Sequence, residues 1–148
     1  MNVAAILKEK GRDVATARAS MTVEAAARML AEKRIGALVI VGHDGQAERG
    51  HVLGIISERD IIRGIAARGA ACLTEPVSDM MTRTVVTCSQ RDTLDSVMAK
   101  MTAGRFRHVP VIDDGQLAGL ISIGDVVKNH IAEVELEASA LKTYFVSG

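Results

Sequence analysis

Apolar and polar positions along this chain follow two rhythms, a helical spacing and then short unbroken apolar runs, and the pattern is written twice. Val23, Ala26 and Leu30 recur at the spacing that puts side chains on one face of a helix, and Leu94, Val97 and Met101 repeat it. Thr22 and Asp92 stand where N-caps are expected. Each helix leads into a short apolar run, "ALVIV" or "HVPVI", which reads as a strand. Turn residues follow: Gly42, Asp44 and Gly45 in one half, Asp113, Asp114 and Gly115 in the other. Second strands, "VLGIIS" and "LAGLIS", then run into second helices. Each half therefore predicts a short extended segment, helix, strand, strand and helix.

The halves also align residue by residue. "TARASMTVEAAARMLAEKRIGALVIV" matches "TCSQRDTLDSVMAKMTAGRFRHVPVI", setting Thr16 on Thr87, Thr22 on Thr93, Leu30 on Met101 and Arg34 on Arg105. Beyond hairpins of unequal length, Gly54, Ile56, Ser57 and Asp60 fall on Gly119, Ile121, Ser122 and Asp125. One half is too small to bury both faces of its sheet. The expectation is an α/β (α+β) fold with the halves packed about a pseudo-two-fold axis. Its divisions are an N-terminal helical arm (1–13), a first repeat (14–70), a linker (71–82), a second repeat (83–132) and a C-terminal helical arm (133–148). Pro76 breaks any helix in the linker, and "VSDMM" predicts a short turn. Amphipathic spacing in the arms (Val3, Ile6 and Leu7; Ile131, Val134, Leu136 and Leu141) predicts packed or dimer-forming helices.

Composition narrows the function. Of 148 residues 48% are hydrophobic, enough for a real core, and 18 basic residues balance 18 acidic ones. Zero net charge argues against nucleic acid or an anionic membrane surface as partner. Two Phe, one Tyr and no Trp are too few for base-stacking platforms. Cys72 and Cys88 lack CxxC spacing and read as free thiols. Charge follows Leu7 too soon for a signal peptide, and no apolar run approaches membrane-spanning length, so a cytoplasmic protein is expected. His43 and His51 read as loop histidines rather than metal ligands, and "GRFRH" as a solvated face or a phosphate contact. No nucleophile elbow, Walker loop or dinucleotide fingerprint occurs. Asp60 and Asp125 belong to separate halves and make no acid/base pair, so no catalytic residue is assigned.

What repeats most closely is a strand, a Ser, and an Asp three places on: "GIISERDIIRGI" and "GLISIGDVVKNH". One reading is a capping box, in which Ser57 and Ser122 cap the second helices and Asp60 and Asp125 close the box. The other is a binding site. A helix N-terminus suits a phosphate, and a short carboxylate beside it suits the cis-diol of a ribose. Capping alone does not require the upstream glycines.

These motifs, together with "IGALVIV" and "RHVPVID", resemble a CBS-domain pair (a Bateman module), and the likeness spans about Val14 to Ala132. The resemblance implies a non-catalytic regulatory module, like the small stand-alone CBS-pair proteins of bacteria, that senses energy or redox state. Its ligands would be adenosine-containing: AMP, ADP or ATP, with NAD(H) or S-adenosylmethionine in some members. It implies one cleft at Asp125, with Ser122 and Gly124, served by Val14, Ala15, Thr16, Ile35, Gly36 and Ala37 and by Arg107 and His108 as phosphate contacts. It implies a second cleft at Asp60, with Ser57 and Arg59, served by Val85, Val86, Thr87, Phe106, Arg107 and His108. Small Gly124, Gly36 and Ala37 favour Asp125 as the better-formed mononucleotide site, whereas Arg59, Phe106 and Arg107 make the Asp60 cleft bulkier and more charged. A homodimer and an unidentified effector protein are the implied partners. The alternatives are a structural dimerisation protein without ligand and a cryptic nucleotide-processing enzyme.

Overall fold

The computed structural model describes residues 1–42 and 51–147, so His43, Asp44 and Gly45 lie outside the described residues. In the first half β1 (Thr16–Arg18), α2 (Val23–Lys33), β2 (Ala37–Val41), β3 (Val52–Ser57) and α3 (Glu58–Arg68) follow one another. The second half holds α4 (Leu94–Gly104), β4 (His108–Asp113), β5 (Gln116–Ser122) and α5 (Ile123–Ser147). A helix α1 (Val3–Lys10) precedes both, and two 3-10 turns, Ala70–Thr74 and Val77–Asp79, join them. The expected order is thus observed, with α5 continuous for 25 residues through the start of the C-terminal arm.

The helical spacing marks the buried face. Val23, Ala26 and Leu30, and Leu94, Val97 and Met101, are all buried. Thr22 Oγ1 accepts the Ala25 N–H at 3.1 Å. In the second half the cap is Thr93, which accepts the Ser96 N–H at 3.1 Å. That corrects the expectation of Asp92, whose carboxylate instead accepts the Ser89 N–H at 3.0 Å, one residue before the helix can begin.

The first half forms a three-stranded sheet, β1 parallel to β2 and β2 antiparallel to β3. The second forms the antiparallel pair β4–β5, where Cys88 makes only an isolated parallel bridge to Val111 in place of a first strand. Register shifts recur at matching places, Ile40/Val41 and Val111/Ile112. The halves are related by a pseudo-two-fold and meet through Ala37, Val39 and Ile55, against which Leu117 and Leu120 pack.

Each half is closed by the segment that precedes the other. Val3, Ile6 and Leu7 of α1 are buried in the core of the second half with Leu94, Val97 and Ile121. The Val3 N–H donates to the Asp92 carbonyl at 2.9 Å and the Leu94 N–H to the Met1 carbonyl at 3.0 Å. Likewise Val77 and Met81 of the linker are buried in the core of the first half, and the Val77 N–H donates to the Met21 carbonyl at 2.7 Å. The two upstream glycines serve this crossing. A Cβ on Gly54 would stand 2.7 Å from the Thr82 carbonyl oxygen, and one on Gly119 would stand 2.6 Å from Leu7 Cδ2. Bare backbone is needed where the crossing segment lies on the strand.

Candidate functional site

At the end of β3 the chain turns into α3 through a complete capping box. The Ser57 N–H donates to Asp60 Oδ2 at 2.8 Å, and the Asp60 N–H donates to Ser57 Oγ at 3.2 Å. The same bonds recur at 2.9 and 3.2 Å between Ser122 and Asp125. The capping reading is therefore borne out in both halves. It also commits most of each helix N-terminus. The Glu58 N–H goes to the Gly36 carbonyl at 3.0 Å and the Ile123 N–H to the Arg107 carbonyl at 2.8 Å. Of the first turn's donors, the Arg59 and Gly124 N–H groups have no hydrogen-bond partner among the described residues, and one such group per helix is too little to hold a phosphate unaided.

A cleft of about 640 Å³ opens in front of Asp60. Ser57, Glu58, Arg59, Asp60 and Arg63 of the β3–α3 junction form one wall. Thr82, Thr84, Val85 and Val86, leaving the linker, form a second, and Gly104, Arg105, Phe106, Arg107 and His108 of the α4–β4 turn a third. One Asp60 oxygen is held by Ser57, and the other faces the cleft with the Thr82 hydroxyl 3.4 Å away. Arg59, Arg63, Arg105 and Arg107 all line the cleft, and no ion pair or hydrogen bond of their side chains forms among the described residues. Against them stand two carboxylates, Glu58 and Asp60. Burial lowers the His108 pKa, with Lys10 and Arg107 acting in the same sense against Glu58 and Asp125, so its imidazole is neutral at neutral pH.

Most residues expected at the Asp60 cleft are there: Ser57, Arg59, Asp60, Val85, Val86, Phe106, Arg107 and His108. Thr87 is not among its lining residues, while Gly36, assigned by sequence to the other cleft, is. Gly36 is half-buried, and a Cβ there would crowd Glu58 Oε1 at 3.1 Å and His108 Cε1 at 3.2 Å. Of the residues expected around Asp125, His108 lies near enough to interact electrostatically with it, and several others also take part in packing. Val14 and Ala37 belong to the apolar contact between the halves, and Ala15 and Ile35 pack on the first core. Thr16 pairs with Val39 in the sheet. Asp125 itself is engaged by Lys10, whose ammonium donates to Asp125 Oδ2 at 2.5 Å and to the Leu120 carbonyl at 2.8 Å. Burial acts to raise the Asp125 pKa, but the Lys10 and Ser122 hydrogen bonds outweigh it and hold the carboxyl below its ordinary value.

Sequence reasoning missed Glu58, Arg63, Thr82 and Thr84, and it named Arg105 only within "GRFRH". Arg63 was legible, standing one helical turn beyond Arg59. Both cysteines are free and buried, and burial pushes the Cys88 thiol up to about 11, which leaves it unreactive. Among the described residues His51 is exposed, and the grouping with metal-ligand spacing lies elsewhere, at Asp95, His130 and Glu133. Glu133 there is ion-paired with the Met1 amine at 2.9 Å. No helix among the described residues is long and apolar enough to cross a membrane.

Comparison with known proteins places this architecture. The CBS domain family model matches residues 6–67 and again 77–131. A solved CBS-domain containing protein from Agrobacterium tumefaciens is 48% identical and superposes with a TM-score of 0.80, covering 86% of this chain and 91% of the other. A CBS domain protein from Pyrobaculum aerophilum, solved in complex with AMP, is 28% identical, with a TM-score of 0.73 over 84% of this chain and 89% of its own. The mitochondrial CBS domain-containing protein CBSX3 of Arabidopsis thaliana is 35% identical over 129 residues, which are 86% of this chain but 61% of that protein's length. Tandem CBS pairs are regulatory modules, and with both halves matched this chain belongs to the CBS-domain family.

Proposed function

We propose that the protein is a non-catalytic sensor that binds an adenine nucleotide carrying more than one phosphate in the cleft at Asp60. The observation that carries this reading is that four arginines, unpaired among the described residues, line the same cleft of about 640 Å³ as the Asp60 carboxylate. Asp60 suits the ribose diol, Val85, Val86 and Phe106 supply an apolar wall for a flat base, and the arginines suit phosphate oxygens. The AMP complex of the Pyrobaculum aerophilum relative supports the adenosine part of the ligand. Excess positive charge supports ADP, ATP or a dinucleotide such as NAD(H) over AMP. Such a ligand reports energy or redox state to an effector protein.

The test is calorimetry and thermal unfolding with adenosine, AMP, ADP, ATP and NAD. Affinity is expected to rise from adenosine to ATP. A hundredfold excess over Kd should stabilise the fold by about 2.7 kcal/mol. Nucleotide recovered after incubation should be unchanged. No heat and no thermal shift with any of the five would overturn the reading in favour of a structural role, and a hydrolysed nucleotide would overturn it in favour of an enzyme.

We also propose a homodimer built on α3 and α5. Ile62 of α3 and Val127, Ile131 and Val134 of α5 are half-exposed or more, and Leu136, Leu141, Tyr144 and Phe145 extend the apolar surface along the same helix. Light scattering at micromolar concentration is expected to give twice the chain mass. A monomer with and without ATP would refute it.

A further inference from the structure

The pseudo-two-fold makes the two carboxylates directly comparable and isolates what differs. The alignment that sets Thr16 on Thr87 also sets Lys10 on Met81, and the one that sets Asp60 on Asp125 sets Arg63 on Lys128. In the first half the crossing segment brings neutral Met81 and Thr82 to β3. Ile55 and Thr82 exchange backbone hydrogen bonds of 3.0 and 2.8 Å, and Asp60 Oδ1 accepts only the neutral Thr82 hydroxyl at 3.4 Å. In the second half α1 brings a cation. Lys10 sits on Asp125 and on the Leu120 carbonyl, while its neighbour Glu9 lies 3.6 Å from Lys128, the counterpart of the unpaired Arg63. Asp60 and Arg63 form no ion pair among the described residues, whereas α1 pairs both of their counterparts with charge.

We infer that Lys10 is a built-in occupant of the Asp125 position and limits the chain to one nucleotide, held at Asp60. This rests on the nucleotide-binding reading above. The Lys10 and Asp125 side chains are only 33% and 19% exposed, so solvent screens the pair weakly. Lys10 holds the Oδ2 that also accepts the Ser122 N–H, and a ribose taking its place there would exchange a charge-assisted bond for neutral-donor ones. Bonds with both partners charged are roughly twice as strong as neutral ones. Nor can the ammonium retreat with its helix. Val3, Ile6 and Leu7 are buried in the second core, and the Val3 and Ala4 N–H groups are bonded to Asp92 and Gln90. The lowered pKa of Asp125 agrees with a carboxylate that stays charged and paired.

Lys10→Met, which installs the residue found in register at Met81, is the discriminating variant, with Lys10→Gln as a second should the first fold poorly by circular dichroism. Calorimetric titration with AMP and with ATP should give one site per chain in the natural protein and two in either variant. Adding Asp60→Asn to Lys10→Met should leave one site, and adding Asp125→Asn as well should leave none. Two sites in the natural protein, or one site unchanged in both Lys10 variants, would overturn the inference alone. Loss of a site on Lys10→Met would overturn it by making Lys10 a ligand contact. A natural protein that binds nothing, beside a Lys10→Met protein that binds one nucleotide, would overturn the Asp60 reading and uphold the role of Lys10.

Discussion

Asp60→Asn should weaken nucleotide binding by about one to two orders of magnitude while leaving the fold intact. The substitution keeps an oxygen that can accept the Ser57 N–H, now bonded at 2.8 Å, so the start of α3 remains capped. What it removes is the negative charge on the oxygen facing the cleft. A hydrogen bond to a charged group is worth roughly 1.5–3 kcal/mol, and each 1.4 kcal/mol is tenfold in affinity. Loss of an acid from the positive end of a helix should cost about 1 kcal/mol or less in the ligand-free protein. The two effects separate cleanly in calorimetry against ATP and in thermal unfolding without ligand. Asp125→Asn is the control. It breaks the Lys10 ion pair and should lower stability without changing ATP affinity. If the losses in affinity are reversed between the two variants, the ligand sits at Asp125 and the crowding expected of Arg59, Phe106 and Arg107 does exclude it from the Asp60 cleft.

Local physics made most of the fold legible. Period and length alone located α2, α4 and the strands, because Val23, Ala26 and Leu30 bury one stripe whatever lies beyond it. The Ser57 and Ser122 caps were legible for the same reason, as both partners lie within one helical turn. The Thr93 cap was legible too, through the alignment that sets Thr22 on it, and Asp92 stands one residue too early to cap a helix that begins at Leu94.

The candidate site was legible as a constellation but not as a vacancy. Lys10 and Asp125 stand 115 residues apart, and nothing near either signals the contact. It follows from α1 crossing onto the far half, a choice made by the buried faces of Val3, Ile6 and Leu7. Gly36 and Ala37 read as room for a base because they are small. In the folded chain Glu58 of the same repeat and His108 of the other crowd Gly36, while Ala37 is buried between the sheets. Smallness in a sequence marks close approach, and only the fold says by what.

That principle gives the largest expected stability effect. Gly54→Ala should destabilise the protein by about 1–3 kcal/mol, and Gly119→Ala by less, although the two glycines occupy equivalent positions. At Gly54 the new Cβ would stand 2.7 Å from the Thr82 carbonyl oxygen and 2.8 Å from Met81 Sδ. The carbonyl cannot yield without breaking the paired bonds between Ile55 and Thr82. At Gly119 the obstacle is the end of the Leu7 side chain, which can change rotamer within its core. Thr82 also lines the cleft with its hydroxyl 3.4 Å from Asp60, so displacing it should lower ATP affinity as well. Leu7 touches no part of that cleft, and Gly119→Ala should leave ATP affinity unchanged. Urea unfolding and ATP calorimetry on both variants check the two halves of the claim. Equal losses of stability would show that the backbone crossing at Thr82 is no more rigid than a leucine methyl. Unchanged ATP affinity in Gly54→Ala would show that Thr82 plays no part in holding the ligand.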